Sequence, residues 1–361
     1  MHRLLLKALL VVLLLALPTI IGTGDAPAAD TNSIRLPPVK AGRTRPLIAI
    51  AADNAGTETT DLIVPYGVLK EADIANVVIV STHAGAVSLM PALTIKPDTT
   101  MHAFDTAHPS GADIVIVPAL HNSRNEVVVD WVREQSDKGA TIVSICEGAW
   151  IAARAGILVG RAATTHWYAF DEISRRFPGT HWVRDQRYVF DHNVMTTTGV
   201  TASIPASLAL VEAMAGHAKA KAVAAVLGIK TWTPAHDAAP FHLTTRRMWL
   251  VARNFLSFWG HETLSIPITN GFDEIALALT ADAWSRTYRS QAIAAPSGSL
   301  IQSRHGLVLM PDGDVETRDL QLALLHAPSG KALDHALEEI ATRYGKATAD
   351  LVALQLEYAR N

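Results

Sequence analysis

The stretch Thr141-Ile142-Val143-Ser144-Ile145-Cys146-Glu147-Gly148-Ala149-Trp150 limits what this chain can fold into more than any other. Its mostly β-branched first half reads as a buried strand. Gly148, followed by Ala149, Ile151, Ala152 and Ala153, reads as a closely packed helix that starts at once. Cys146, the single cysteine of the chain, falls on the turn between them. A strand running straight into a helix is the geometry of a nucleophile elbow, which lifts one side chain above the sheet and aims backbone N–H groups at whatever it attacks. The helix N-terminus there would also favour a thiolate. The competing reading of a lone Cys is a small buried hydrophobe, and the strand-to-helix setting favours the elbow.

Around this stretch, strands and helices alternate. Leu47 to Ala51, Val77 to Ser81, Ile114 to Val117 and Thr141 to Ile145 read as strands, with helices at Leu62 to Ala72 and Asn125 to Lys138 between them. That order is the signature of a parallel sheet with helices on its faces. Further on, Ala162 to Thr165 reads as a short strand leading to His166, and Phe170 to Phe177 as a helix stopped by Pro178. Tyr188 to Asp191 and Val194 to Thr198 read as a strand pair turned at His192-Asn193, and Thr201 to Met214 as a long helix. Ligands of open α/β sheets bind beyond the carboxyl ends of the strands, where Cys146 stands.

The 361 residues, 49% hydrophobic and 18% charged, suffice for one large core or two moderate ones. A net charge of −3 and the lack of any Lys/Arg-rich stretch give no reason to expect nucleic acid. Met1 to Ala29 has a basic start (His2, Arg3, Lys7), an apolar run from Ala8 to Ile21 and Ala26-Pro27-Ala28, and so reads as an export signal (residues 1–29) with a periplasmic or secreted product. The alternative is an uncleaved membrane anchor over residues 8–22. One cysteine excludes an internal disulfide. The pairs His102 with His108, His181 with His192 and His236 with His242 lack the spacing of strong metal sites, and no phosphate-binding glycine motif occurs, so neither metal nor cofactor is expected.

Several segments carry a resemblance in order: Asp61-Leu62-Ile63-Val64-Pro65-Tyr66-Gly67-Val68-Leu69, the Ser144 to Ala149 elbow, Gly160-Arg161-Ala162-Ala163-Thr164-Thr165-His166-Trp167, and Thr198-Gly199-Val200-Thr201-Ala202. Together they resemble the ThiJ/PfpI superfamily of class I glutamine-amidotransferase-like domains, most closely the amidase-like domain of AraC-type transcription regulators. The resemblance implies a flavodoxin-like α/β sheet over residues 46–216, after a linker at 30–45. It also implies a site in which Cys146 is the nucleophile, Asp61 shares a proton with it, His166 stands near the elbow and Glu147 offers its backbone N–H to an oxyanion. Asp61 has a second reading as the N-cap of the following helix. Many relatives have Gly-Gly where this chain has Ala119-Leu120 in Pro118-Ala119-Leu120-His121, which puts one oxyanion donor in doubt.

The helix-turn-helix half of the resembled regulators has no counterpart after Gly216. Residues 217–265 read as a helical connector. Beyond it, Gly298-Ser299-Leu300 leading to Leu307-Val308-Leu309-Met310-Pro311-Asp312 echoes Gly85-Ala86-Val87 leading to Leu93-Thr94-Ile95-Lys96-Pro97-Asp98. Residues 266–361 are thus expected to be a C-terminal α/β extension, a degenerate partial repeat without an elbow. The expected function is an exported cysteine-dependent amidase-, hydrolase- or lyase-like enzyme for a small carbonyl, amide or related electrophile. Its alternative is a ligand- or redox-sensing module without turnover. Homodimerisation is left open.

Overall fold

The computed structural model of the chain describes residues 34–295, 300–311, 320–325 and 328–359. The expected export signal, the start of the linker, and Gly298, Ser299 and Asp312 of the echo lie outside them.

The main sheet has seven strands: β1 (Leu47–Ala52), β2 (Asn76–Ser81), β3 (Thr99–Thr100), β4 (Ile114–Val117), β5 (Thr141–Ser144), β6 (Tyr188–Asp191) and β7 (Val194–Thr197). Across the sheet they run β6-β7-β5-β4-β1-β2-β3, parallel throughout except for the β6–β7 hairpin. Helices α1 (Thr59–Ala72), α2 (Met101–Ala107), α3 (Glu126–Asp137), α4 (Ala149–Arg154), α5 (Trp167–Arg176), α6 (Ser203–Ala215) and α7 (His217–Leu227) flank it. Because both faces are covered, β1 and β4 at the centre are apolar at every position rather than at alternate ones. On β1, Ile48, Ile50 and Ala52 join Leu62 of α1 and Leu208 of α6 in one core. Leu47, Ala49 and Ala51 join Val128 and Trp131 of α3 and Ile151 of α4 in the other.

Local boundaries differ from the sequence expectations for identifiable reasons. Helix α1 begins at Thr59 because Glu58, not Asp61, is its N-cap, with the Glu58 carboxylate accepting the Asp61 N–H. The strand expected over Ala162 to Thr165 is only Ala162–Ala163, paired with His181–Trp182 outside the main sheet. The Thr164 N–H is donated instead to Thr196 Oγ1, and the Thr165 hydroxyl to the Cys146 carbonyl.

The C-terminal region adds α8 (Thr245–Leu256), β8 (Glu262–Pro267), α9 (Glu274–Ser285), β9 (Ser290–Ala295), β10 (Leu320–Gln321), α10 (Ala332–Tyr344) and α11 (Lys346–Gln355). Its sheet is parallel, in the order β9-β8-β10. Since β8 starts at Glu262, the expected boundary at Ile266 falls inside a strand. Helix α9 lies on α1 so closely that a Cβ on Gly67 would sit 2.5 Å from Ile275 Cγ1. Ile275, Leu277 and Leu337 belong to the same apolar cluster as Ile48. A hairpin of each region also meets the other: Thr94–Lys96 pairs antiparallel with Val308–Leu309, with Ile95 opposite Leu309.

Candidate active site

Strand β5 is central in the sheet, between β4 and β7, and its chain is held to the end by a bond from the Ile145 N–H to the Val117 carbonyl (2.9 Å). It then turns sharply. Cys146 has φ +55°, a left-handed conformation that costs a residue with a β-carbon about 1–3 kcal/mol and persists only where the surroundings enforce it. Three contacts enforce it here. The Cys146 N–H donates to Thr197 Oγ1 (3.2 Å), the Cys146 carbonyl accepts the Thr165 hydroxyl (2.9 Å), and the Gly148 N–H bonds back to the Ile145 carbonyl (2.8 Å). Gly148 must lack a side chain, because a Cβ there would stand 2.1 Å from the Val117 carbonyl oxygen.

The thiol is 6% exposed. Burial pushes its pKa up, the negative charges of Asp61, Glu147 and Glu58 push the same way, and a hydrogen bond from the Glu147 backbone N–H opposes them without prevailing. The helix-dipole expectation of a thiolate is therefore corrected. A three-residue 3₁₀ turn and a short helix cannot outweigh the desolvation of sulfur among carboxylates. This surrounding favours the thiol over the thiolate.

Asp61 lies within the first turn of α1 and is fully buried. Its Oδ2 accepts the Ala119 N–H (3.1 Å), whereas Oδ1 has no hydrogen-bond partner among the described residues. Burial first, and then the neighbouring Glu58 carboxylate, hold its pKa well above the usual carboxyl range. A protonated Asp61 would carry its hydrogen on the unpartnered Oδ1. The bond to Ala119 also bears on the missing Gly-Gly, since the backbone N–H at that position is already engaged by Asp61. His121 is exposed and its N–H bonds the Gly56 carbonyl (2.9 Å), so it does not supply a replacement donor.

Behind Asp61, the C-terminal region supplies a partner set that no motif announced. Arg286 Nη2 donates to Glu58 Oε1 (2.6 Å) and its Nε to Asp282 Oδ1 (2.7 Å), while the Thr60 hydroxyl bonds the Glu58 carboxylate. One guanidinium thus serves two buried carboxyl groups beside Asp61, and burial pushes Asp282 up to about 8. Only the 222-residue separation of Thr60 and Asp282 hid this cluster from the sequence.

His166 is buried at the start of α5. Its Nε2 faces the Gln355 carbonyl (3.1 Å), which can only accept, so Nε2 carries the hydrogen and the neutral ring keeps Nδ1 as its acceptor. Nδ1 has no hydrogen-bond partner among the described residues and stands 4.0 Å from Glu147 Oε1, whose side chain is 39% exposed. Glu357 was not expected in this neighbourhood. Its carboxylate is buried and accepts the N–H groups of Gly199 (2.6 Å) and Trp167 (3.3 Å), with His236 Nε2 at 2.9 Å. Trp167 also donates its indole N–H to Leu354. Trp150 packs against Phe177 in the core on the opposite face of the sheet. Among the described residues, no group of three or more His, Cys, Asp or Glu is arranged to hold a metal ion.

Residues 47–213 match the DJ-1/PfpI family. Isonitrile hydratase of Pseudomonas putida is 29% identical over 184 residues, covering 50% of this chain and 77% of that protein. The Parkinson disease protein 7 homolog of Danio rerio is 29% identical over 182 residues, covering 48% and 93%. The HTH-type transcriptional regulator CdhR of Pseudomonas aeruginosa is 31% identical over 119 residues, but over only 33% of this chain and 35% of its own length. Among solved structures, a ThiJ/PfpI family protein from Pseudomonas syringae aligns with a TM-score of 0.48 and 22% identity, over 64% of this chain and 93% of that one. In residues 47–213, with an α/β region following, this chain carries a DJ-1/PfpI family domain.

Proposed function

We propose that the chain is a Cys146-dependent enzyme that adds water to a small, uncharged electrophile of the isonitrile class. The observation that carries this reading is the pairing of one strained, nearly buried thiol with a fully buried Asp61 whose Oδ1 is unpartnered. A site so enclosed favours a small neutral substrate, because a charged one would lose its hydration without a free counter-charge. Sulfur would attack the terminal carbon of the isonitrile, and the thiol proton would end on that carbon, directly or through Asp61. Water then adds to the resulting thioimidate and the thiol leaves. The net change is the gain of one water, giving an N-substituted formamide and the free thiol. Similarity to the isonitrile hydratase of Pseudomonas putida guides the choice of electrophile. Incubation with a small alkyl isonitrile should yield the formamide by NMR, and Cys146→Ala should abolish it. Formamide produced equally by Cys146→Ala would refute the reading.

A second reading has one observation in its favour. The Ala119 N–H, which would complete an oxyanion hole, is engaged by Asp61, and similarity to CdhR points toward ligand sensing. Tight binding of a small molecule without turnover, unchanged in Cys146→Ala, would select it. We also take the chain as exported, on the strength of Met1 to Ala29 alone. An N-terminus near Asp30 in the mature protein is expected, and an intact Met1 would oppose export by a cleaved signal.

We further infer that residues from Glu262 onward are a partial copy of the first half. What supports this is the matching order of strand, capped helix and parallel strand in β1-α1-β2 and β8-α9-β9. Glu58 and Asp273 each cap their helix by accepting the N–H three residues on.

A further inference from the structure

We propose that helix α8 and the turn after it form a docking face for an anionic lipid bilayer. The helix has two unlike sides. Leu250 and Val251 pack inward against the cluster of Phe241, Leu351 and Leu354, and Asn254 is buried with its amide donating to the Thr287 carbonyl and Thr348 Oγ1. These inward contacts hold the helix in place. The opposite stripe, Arg246, Trp249, Arg253 and Leu256, follows the three-and-four spacing of a single helical face and is turned to solvent.

Trp249 is 72% exposed, Leu256 56%, and Trp259, just beyond the helix, 92%. Together with Arg246 and Arg253 they line an open groove of about 700 Å³. Two indoles and a leucine turned to solvent on one side form an apolar patch of the kind that marks a docking surface.

Charge selects the occupant. Between Asp237 and Glu262 the sequence holds Arg246, Arg247 and Arg253 and no Asp or Glu, in a chain whose net charge is −3. Arg247 donates to the carbonyls of Pro240 and His242. Arg246 and Arg253 form no ion pair among the described residues. Guanidinium groups can lay their stems along the apolar stripe and reach lipid phosphates, while tryptophan is favoured at the boundary between headgroups and acyl chains. A second copy of the chain fits less well. Two-fold docking would set the arginines of each stripe against the same stripe of its partner, with no acid between residues 238 and 261 to pair them. None of the residues lining this groove belongs to the site around Cys146, and the proposal does not rest on the reaction assigned there.

The test is co-sedimentation of the full chain with phosphatidylcholine vesicles, with and without phosphatidylglycerol, at low and raised salt. Wild type, Trp249→Ala/Trp259→Ala and Arg246→Gln/Arg253→Gln are compared, with circular dichroism confirming the fold of these surface variants. Expected is binding that needs phosphatidylglycerol, weakens with salt, and falls about ten-fold or more in each double variant. Three results would overturn the proposal. One is absence of binding to anionic vesicles. Another is binding equal in all three proteins, which would assign it to the apolar run at Ala8 to Ile21. The third is a dimer in sedimentation velocity that dissociates in the Trp variant, which would make a second copy the occupant.

Discussion

Asp61 and Cys146 owe their chemistry to burial more than to each other. Removing a carboxyl group and a thiol from water favours the neutral form of both, and the guanidinium of Arg286 beside them is already shared by Glu58 and Asp282. In the proposed reaction Asp61 would thus act as a proton donor rather than as a counter-ion. Asp61→Asn keeps the shape and an N–H donor but has no transferable proton. Turnover of the isonitrile should fall by about 10²–10⁴, while Cys146 in the unfolded variant is still alkylated stoichiometrically. Turnover equal to wild type would remove Asp61 from the reaction. His166 has the weaker case as a base, since its Nδ1 stands 4.0 Å from Glu147 Oε1 and makes no hydrogen bond to the thiol.

At the scale of elements, the elbow is a junction with no spare volume. Strand β5 delivers the chain to Cys146, and helix α4 can start at once only because Gly148 passes under the end of β4. Gly148→Ala would drive a methyl into the Val117 carbonyl at 2.1 Å and the Pro118 carbonyl at 3.0 Å, both backbone atoms that cannot rotate away. The expected cost is about 3 kcal/mol or more, seen as a lower thermal midpoint by circular dichroism. An unchanged midpoint would mean that the turn relaxes freely and that the positive φ of Cys146 is not imposed by packing. The contact of α1 with α9 at Gly67 shows the same economy: one missing side chain lets two helices close over the carboxyl cluster.

Across the whole molecule, the two regions are joined by polar bridges as well as by the shared core. His305, in the C-terminal hairpin, bonds Glu274 at the start of α9 through Nδ1 and faces Glu71 on α1 through Nε2 (3.1 Å), while Arg304 faces Asp273 and Glu71. Burial works against protonation of His305, but the hydrogen bond and charge of Glu274 outweigh it, so its pKa is raised. A raised folded-state value stabilises the fold fully below the unfolded histidine value of about 6.5 and loses that contribution as pH rises through the folded value. The thermal midpoint of wild type should thus exceed that of His305→Gln most near about pH 6, and the gap should shrink toward about pH 8. A gap that widens with pH would show that His305 is held neutral.

The parallel α/β sheet and the position of the thiol were legible in the sequence, because they follow from local rules. A strand covered on both faces is mostly apolar, and a strand meeting a glycine and a small-residue helix must turn sharply. Asp61, too, was recognisable by its place in the helix start, although Glu58 took the capping role that residue type alone would assign to Asp61. The setting of the thiol was decided elsewhere. Arg286 and Asp282 reach the cluster from more than two hundred residues away in the chain, and Gln355 and Glu357 close on His166 and Gly199 from its far end. Protonation depends on desolvation and on the sum of neighbouring charges, and both are properties of what packs around a group. The sequence by itself determined where a thiol would be presented, and only the tertiary structure decided that it is presented as a buried thiol among carboxyl groups.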